Sequence, residues 1–401
     1  MAWTEQISPH SWRVRYPTGD GHIASVSGFT TRKAADDYAH DIETDQRRGT
    51  RIDPAHGRTT VAEWVATWFA ALDLDPRTLD NYRSILRCHI QPRWGSTPLS
   101  DITTLTVNKW ITELHQRGYA TSTIGSITKL LSMLLTDAAD EHLIPDNPIH
   151  KRRRRGRRSH RIEPEKIWAT PEEVVRIADQ ATALGGEAAG LLIITAAWTG
   201  CRWGELAGLH RDNLDLDRGL LIVDPRVGAL HESAHTRWLG PPKTASSARA
   251  ITLPPFLVDL LRNHLQRHDG EFVFTTESGT WLWRSTFIRR VLNPAINGNL
   301  DRPNAHVRTY PIRPGLTFHG LRHSHKTWLI ASNTPEIAQA RRLGHHLHNR
   351  VVEVYSHVAP EVEQRLINAL QRRWHTATTM VQTHPIAPEP APRHLTSGIA
   401  A

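Results

Sequence analysis

Residues 316–357 contain the side chains best suited to chemistry on a phosphate. His319 and Arg322 lie three residues apart and are followed by His345 and then Tyr355. If the first pair lies on a helix, both side chains share one face and reach one target. A tyrosine hydroxyl is a nucleophile, a histidine accepts a proton, and an arginine supplies fixed positive charge. These residue types predict attack on a phosphodiester, and they do not form a common metal or serine-type site.

Two further motifs lie upstream of this segment. Residues 199–206 follow an apolar run and carry Arg202 and Glu205, which are i and i+3 on a predicted new helix. Residues 243–253 carry Lys243 beside a strand-like alternation of apolar and polar residues. Arginine keeps its proton near neutral pH whereas lysine can release one, which makes Lys243 the basic residue of greater interest.

Each motif has a plainer interpretation when it is taken alone. Arg202 is compatible with an ordinary helix-face ion pair, Lys243 with a solvated lysine, and Tyr355 with a core tyrosine. The histidines within residues 319–348 are compatible with a metal cluster, but no carboxylate is spaced to complete it, so no metal is expected. The joint occurrence of the motifs in one order argues against these plainer interpretations.

In order and spacing, these motifs resemble the tyrosine recombinase (phage integrase) family, and the resemblance covers roughly residues 60–375. It implies that Tyr355 attacks the scissile phosphorus and forms a 3′-phosphotyrosyl bond. It implies that Arg202 and Arg322 hold the two non-bridging oxygens, because the arginine fork matches phosphate geometry. Lys243 would protonate the departing 5′ oxygen.

The same resemblance assigns three supporting roles. His319 would accept the tyrosine proton or bond the phosphate, and His345 would add a further hydrogen bond to the phosphate. Glu205 would orient Arg202 or His319 as an acceptor. No cofactor is expected, because arginines replace a metal as the charge stabiliser. ATP is not needed because the phosphotyrosyl link keeps the bond energy, and the sequence has no glycine-rich phosphate loop.

The composition agrees with a multidomain protein that binds nucleic acid. The chain has 401 residues, enough for two or three domains, and 39% of them are hydrophobic. A net charge of +9 and a pI of about 9.9 favour a polyanionic partner, although a merely basic enzyme has the same charge. No apolar run reaches membrane-spanning length, and the first residues lack the charged-then-apolar pattern of a signal peptide. Two cysteines, Cys88 and Cys201, cannot build a disulfide framework. We therefore expect a cytoplasmic, nucleoid-associated protein with no membrane partner.

Residues 1–55 are predicted to form a small β–α domain. Strands are expected at 11–16 and 23–29, and Thr31 is expected to cap a helix. The expected apolar face of that helix comprises Ala34, Ala35, Tyr38, Ala39 and Ile42. The domain resembles the arm-type DNA-binding domain of some integrases, and an ordinary small β–α module is the alternative.

DNA contacts are predicted at two places. Arg13 and Arg15 occupy an exposed strand face of the arm-type domain. Residues 149–164 are too densely charged to pack within a domain, so we predict a basic linker that contacts the phosphate backbone. A nuclear-localisation signal and a solubilising tract are the alternatives for this linker. Its predicted DNA-binding residues are Lys151, Arg152, Arg153, Arg154, Arg155, Arg157 and Arg158.

Residues 60–148 are predicted to form a helical domain. Apolar residues recur at helical spacing, which is typical of core packing rather than of a ligand site. Four helices are expected, at 61–72, 75–88, 107–114 and 124–138. Four short helices ahead of the catalytic motifs resemble the core-binding domain of the family, which clamps one side of the duplex.

Residues 165–375 are predicted to form a mixed α+β catalytic domain, followed by a disordered tail at 376–401. Thr170 begins a helix with a proline and an acidic first turn, and Lys243 is expected in the hairpin between two strands. Helices are expected at 191–198, 256–265 and 360–374, and strands at 220–223, 250–253 and 272–274. The resemblance implies that the helix at 360–374 docks on a neighbouring subunit.

These expectations describe a multidomain, mainly α protein with an arm-type domain, a helical core-binding domain and a catalytic domain of the tyrosine recombinase type. The three-part layout favours a phage or mobile-element integrase that integrates or excises DNA. The partners implied by the resemblance are double-stranded DNA at attachment sites, a homotetramer acting through a Holliday junction, a DNA-bending host factor and a directionality factor. The alternatives are a DNA-relaxing enzyme similar to type IB topoisomerases and a non-catalytic DNA-binding regulator. An intact nucleophile argues against the regulator.

Overall fold

A computed structural model of the protein describes residues 1–17, 23–48, 58–149, 165–233, 235–345, 357–384 and 389–390. The chain divides into two compact units, Met1–His160 and Arg161–Ala401. The boundary falls within the predicted basic linker, whose DNA-binding residues lie outside the described residues, as does Tyr355.

The first unit begins with a three-stranded antiparallel sheet in the order β1-β2-β3, followed by helix α1. These elements are β1 Trp3–Ser8, β2 Ser11–Pro17, β3 Ile23–Phe29 and α1 Arg32–Arg48. The hydroxyl of Thr31 accepts a hydrogen bond of 3.2 Å from the Ala34 amide, which caps α1 as predicted. The small core buries Val14, Tyr16, Ala35, Ala39 and Ile42.

Strand β1 was not predicted, and it changes the surroundings of both predicted DNA-binding arginines. Glu5 on β1 lies beside β2 and pairs with Arg13 at 2.8 Å and with Arg15 at 3.5 Å. The two arginines keep side-chain exposures of 30% and 40%, so their strand face is only partly open. Ala34 and Tyr38 are exposed, contrary to their predicted place on the apolar face, because the buried stripe runs through Ala35, Ala39 and Ile42.

The described residues 58–149 of the first unit are mainly helical, as predicted. Its helices are α2 Val61–Ala70, α3 Pro76–Ile85, α4 Gln91–Trp94, α5 Thr104–Gln116 and α6 Thr121–Asp140. A π-helical turn over Leu86–Ile90 joins α3 to α4, so the second predicted helix runs past Cys88. Asp75 accepts a hydrogen bond from the Arg77 amide at 2.9 Å and fixes the start of α3.

The second unit contains nine α-helices and seven strands within its described residues. The helices are α7 Pro171–Gly185, α8 Glu187–Thr199, α9 Trp203–Ala207, α10 Pro255–Leu265, α11 Arg284–Phe287, α12 Asn293–Asn297, α13 Phe318–Ala331, α14 Glu336–Leu343 and α15 Pro360–Thr383. The strands are β4 Leu214–Asp215, β5 Leu220–Val223, β6 Ala229–Glu232, β7 Arg237–Gly240, β8 Arg249–Thr252, β9 Val307–Arg308 and β10 Glu389–Pro390. They pair as a sheet in the order β4-β5-β8 and as two two-stranded ribbons, β6-β7 and β9-β10.

Local sequence explains the two helices at the centre of this unit. Thr170 and Glu173 form a reciprocal capping box at the start of α7. Helix α8 is apolar around most of its surface and is almost entirely buried, as its composition predicts. Gly200 ends α8 with a left-handed backbone, φ +69°, which a glycine adopts at no steric cost.

The prediction that Lys243 lies in a hairpin connecting β5 directly to β8 is wrong. Strands β5 and β8 pair with each other, but the separate β6–β7 ribbon is inserted between them. The ribbon packs on α9, where a side chain at Gly204 would place its Cβ 2.6 Å from the Leu230 carbonyl oxygen. Lys243 therefore follows β7, ahead of a 3-10 turn over Ala245–Ser247.

Two other predicted boundaries need correction. The strand predicted at 272–274 is only an isolated bridge between Phe272 and His210, because no neighbouring strand extends the pairing. Helix α15 continues to Thr383, so residues 376–383 do not belong to a disordered tail. Its last turns are stabilised by burial of Ala377 against the core.

No helix among the described residues is long and apolar enough to cross a membrane.

Candidate active site

Helix α13 presents two of the predicted site residues from its first turns. The hydroxyl of Thr317 accepts a hydrogen bond of 3.0 Å from the Gly320 amide and caps the helix. His319 is exposed on the first turn, whereas Arg322 is only 4% exposed. The predicted i, i+3 relationship is confirmed, and the two side chains lie at different depths of one site.

Arg322 connects three segments that are distant in sequence. Its Nη1 donates to the carbonyl of Gly200 at 2.6 Å. Its Nη2 donates to the carbonyl of Leu343 and, at 2.8 Å, to Nε2 of His345. The end of α8, helix α13 and the turn after α14 therefore meet at one guanidinium group.

Arg202 immediately precedes α9, and Glu205 lies in the first turn of that helix. The Arg202 amide donates to Glu205 Oε2 at 2.9 Å, and its Nη1 donates to Glu205 Oε1 and to Ser247 Oγ, both at 2.8 Å. No described residue accepts a hydrogen bond from its Nε or Nη2. The side chain is 28% exposed, so this unoccupied edge is accessible to an incoming anion.

Both predicted site histidines are neutral at pH 7. Partial burial, followed by the charges on His323, Arg322 and Arg202, lowers the pKa of His319 to about 4. Partial burial, followed by the charges on Arg322 and Arg202, lowers the pKa of His345 to about 4.

A neutral His345 fits its hydrogen bond. Because Nε2 accepts from Arg322, the single ring proton belongs on Nδ1. His345 can then donate this proton to a phosphate oxygen. A neutral His319 can accept a proton.

The site carries an excess of positive charge. Burial, followed by the charges on Arg202 and Arg249, lowers the pKa of Arg322 to about 10, which still leaves it protonated at neutral pH. Glu205 is the carboxylate that pairs with both Arg202 and Arg249. An anion that binds here supplies counter-charge to these guanidinium groups, whose fork geometry matches the oxygens of a phosphate.

The structure places Lys243 beside this cluster without joining it. Its side chain is exposed and makes no hydrogen bond with the other described site residues. The next residue, Thr244, places its hydroxyl 2.9 Å from Ser247 Oγ, which in turn accepts from Arg202. The position of Lys243 in the chain is thus tied to the site through this turn.

Three residues of the cluster were missed by sequence reasoning. Ser247 is fully buried and accepts from Arg202, Arg249 contacts Glu205, and Arg342 donates to Nε2 of His325 at 3.0 Å. Its place at the first position of strand β8, directly after the motif of Lys243, was the available signal for Arg249. Nothing local distinguished Arg342 from the neighbouring arginine on α14.

Sequence models of two families match the chain. The phage integrase family matches residues 168–361, which include the cluster, and the phage integrase N-terminal SAM-like domain matches residues 60–115. The chain belongs to the phage integrase family of tyrosine recombinases, the enzyme class of site-specific DNA strand transferases.

Relatives and solved structures agree with this assignment. The chain is 27% identical to a putative prophage phiRv2 integrase of Mycobacterium tuberculosis, over 92% of this chain and 94% of the relative. It is 24% identical to a XerC-like tyrosine recombinase of Caldanaerobacter subterraneus, over 85% of this chain and 89% of the relative.

Two solved structures share the fold. A Tn1549 transposon integrase in complex with circular intermediate DNA has a TM-score of 0.58 and 17% identity, over 78% of this chain and 99% of that one. A lambda integrase tetramer bound to a Holliday junction has a TM-score of 0.52 and 18% identity, over 88% and 99%. The predicted fold class is confirmed.

Proposed function

We propose that the protein is the integrase of a phage or other mobile element, and that it cleaves and rejoins DNA with Tyr355 as the nucleophile. The observation that supports this is the cluster of two positively charged arginines, Arg202 and Arg322, with the neutral His345 within the family's matching region. Such a cluster is suited to neutralising the charge that develops on a phosphate in the transition state.

The reaction starts when the Tyr355 oxygen bonds to the scissile phosphorus as the bond from phosphorus to the 5′ oxygen breaks. His319 takes the phenol proton, and Lys243 gives a proton to the departing 5′ oxygen. The open edge of Arg202 and the remaining donors of Arg322 hold the non-bridging oxygens. In the second half, a 5′ hydroxyl of another duplex attacks the 3′-phosphotyrosyl link and releases Tyr355.

The partners of this reaction follow from its two-duplex chemistry. The substrate is double-stranded DNA carrying attachment sites, and four subunits are needed to cut four strands in pairs through a Holliday junction. We propose that the arm-type domain and the basic linker add DNA contacts and that a DNA-bending host factor and a directionality factor set the outcome. Because the substrate is chromosomal and phage DNA, we place the reaction at the nucleoid in the cytoplasm.

Covalent trapping tests the proposal. The protein is incubated with nicked duplex DNA carrying its cognate site, and the adduct is resolved on a denaturing gel. Wild type and a Tyr119→Phe control form the adduct, whereas Tyr355→Phe does not. An adduct that persists in Tyr355→Phe, or none in wild type, contradicts the proposal.

A two-site assay then separates recombinase from relaxing enzyme. Exchange of flanking markers between two attachment sites supports the integrase. Relaxation of supercoiled DNA without exchange supports an enzyme similar to type IB topoisomerases.

A further inference from the structure

Glu205 is bonded by two arginines at once. Its carboxylate is buried, with 3% exposure, and both oxygens accept hydrogen bonds from both residues. Arg249 reaches Oε1 at 3.2 Å and Oε2 at 2.9 Å, which is a two-pronged contact. Arg202 reaches Oε1 through Nη1 alone, and Oε2 through its backbone amide.

Arg249 does not reach the open side of the site. Its side chain is 6% exposed. Nε donates to the Arg342 carbonyl at 2.7 Å, Nη1 to the Ser247 carbonyl at 2.6 Å, and Nη2 also lies 3.9 Å from Cys201 Sγ. It therefore touches the first turn of α9, the turn after Lys243 and the end of α14, each of which supports a different site residue.

The residues around Arg249 are also tightly packed. A Cβ on Gly344 would lie 2.9 Å from Ser247 Cα and 3.2 Å from Arg249 Nη1. Gly344 has φ +64° and directly precedes His345, so the backbone that aims His345 packs against the Arg249 guanidinium group. A shift of Arg249 would disturb both sides of the site.

We infer that Arg249 is a positioning residue, which holds Glu205 so that Arg202 keeps its Nε and Nη2 edge free for the phosphate; this rests on the proposed function. A carboxylate that faces a single arginine frequently forms a bidentate pair with it, with two parallel N–H···O hydrogen bonds. Arg249 makes this bidentate contact with Glu205, so Arg202 makes only one side-chain hydrogen bond to the carboxylate. Without Arg249, Glu205 would turn its second oxygen to Arg202 and compete with the DNA.

The electrostatics of the group agree with this division. Burial opposes the charge on Glu205, but the hydrogen bond and the charge of Arg249 hold its pKa below the ordinary value, ahead of the contributions from Arg202. Burial also opposes the charge on Arg249, but the opposing electrostatic effects of Cys201 and Glu205 together are larger than the effect of burial. The pKa of Arg249 is therefore raised. The buried pair is therefore charged, and Arg249 is the stronger partner of Glu205.

The test measures cleavage chemistry apart from DNA binding. Single-turnover adduct formation on nicked cognate DNA at saturating DNA gives the chemical rate, and the Kd is measured by fluorescence anisotropy in the Tyr355→Phe background. We expect Arg249→Met to slow adduct formation at least 10-fold and to leave Kd within 3-fold. We expect Arg249→Lys to recover part of the rate, because it keeps the charge but loses the planar fork.

Arg176→Met is the matched control, because Arg176 is also a buried, ion-paired arginine of the same unit and lies on α7, outside the site. Both methionine variants are expected to lose stability, and only Arg249→Met to lose rate at a temperature well below either unfolding midpoint. Equal rate losses in both, an unchanged rate in Arg249→Met, or a lysine variant no faster than the methionine variant overturns the inference.

A double variant gives an independent readout. Replacing Glu205 by Gln removes the carboxylate that would compete with DNA for Arg202. Adding Arg249→Met to this variant should therefore slow adduct formation by less than a further 3-fold. Additive losses overturn the inference. A wild type that forms no adduct refutes the proposed function instead, whereas a wild type that forms it while Arg249→Met is equally fast refutes only the role of Arg249.

Discussion

Arg322 donates a hydrogen bond of 2.8 Å from Nη2 to Nε2 of His345, and so joins two site residues that lie 23 positions apart in the chain. The bond fixes which ring nitrogen of His345 carries its proton. Partial burial, followed by the neighbouring guanidinium charges, lowers the pKa of His345 and keeps the imidazole neutral. The site thus separates its roles: arginines supply the charge, and histidines stay neutral and exchange or share protons.

The first prediction concerns the pH dependence of cleavage. His319 and His345 have pKa values lowered to about 4, so their neutral forms are present at neutral pH and are lost only as the pH falls through about 4. The single-turnover rate of adduct formation should therefore show no inflection near the ordinary histidine pKa of about 6.5. The rate is measured from about pH 5.5 to pH 8 on nicked cognate DNA.

An NMR titration checks the same point directly. The imidazole signals assigned with His319→Gln and His345→Gln should not move over that pH range. An inflection near pH 6.5 that either substitution removes would show that one of these histidines titrates there, contrary to the prediction.

The second prediction separates the two site arginines by stability. Arg322→Ala leaves the carbonyls of Gly200 and Leu343 buried without this donor, at a cost of roughly 1–3 kcal/mol for each group. Arg202→Ala leaves Glu205 paired with Arg249, so its free energy of unfolding should change by less than about 1 kcal/mol.

Both substitutions should slow adduct formation by about 100-fold or more, the usual effect of removing a donor from a transition-state oxygen. Urea unfolding and the single-turnover assay together test this pair of variants. Equal losses of stability in the two variants would contradict the different burial of the two side chains.

The third prediction concerns the close packing around Gly200. A Cβ there would lie 2.6 Å from Leu343 Cδ2 and 2.9 Å from His325 Cδ2, at a backbone φ of +69°. Gly279 has a similar φ of +74°, and a Cβ would meet nothing within 4 Å. Gly279→Ala should cost only the backbone penalty of about 1–2 kcal/mol, and Gly200→Ala about 1–3 kcal/mol more from overpacking.

Urea unfolding of the two alanine variants measures this difference. Because Gly200 also offers its carbonyl to Arg322, only Gly200→Ala should slow adduct formation. Similar unfolding free energies for the two variants would mean that the contacts of Gly200 relax freely.

The fourth prediction concerns the contribution of the charges on the basic linker to DNA affinity. Replacing Arg152, Arg153, Arg154 and Arg155 by Gln should reduce the slope of log Kd against log salt concentration by up to about 3–4, since each phosphate contact contributes about 0.9. Affinity should fall to a similar extent for cognate and random duplexes, because phosphate contacts carry no base information. Fluorescence anisotropy at several salt concentrations measures both effects.

The control replaces the exposed Arg218 and the half-buried Arg262, which are paired with aspartates of their own unit. Their substitution by Gln should leave the slope nearly unchanged. A linker variant with the wild-type slope would show that these four arginines do not contact DNA.

The sequence by itself determined the elements whose signals are local. Capping residues such as Thr170 and Asp75, the apolar periodicity of α2, α5 and α6, and the glycine at 200 indicated where helices begin and end. The motif order then indicated the family, because motifs that are weak when taken singly are specific when they occur together in one order. Strand β1 and the β6–β7 ribbon were not predicted, because short, partly exposed strands have little apolar periodicity and are specified by the strands with which they pair.

Only the tertiary structure decided how the site residues divide their work. Arg249 meets Glu205 across 44 positions and Arg322 meets Gly200 across 122, and no local spacing encodes such contacts. Burial decided that Arg322 is held by carbonyls while Arg202 keeps an open edge, although both are arginines in equally recognisable motifs. Residue type sets which chemistry is available, whereas depth and neighbours set charge state and free donors, and these depend on the whole packed domain.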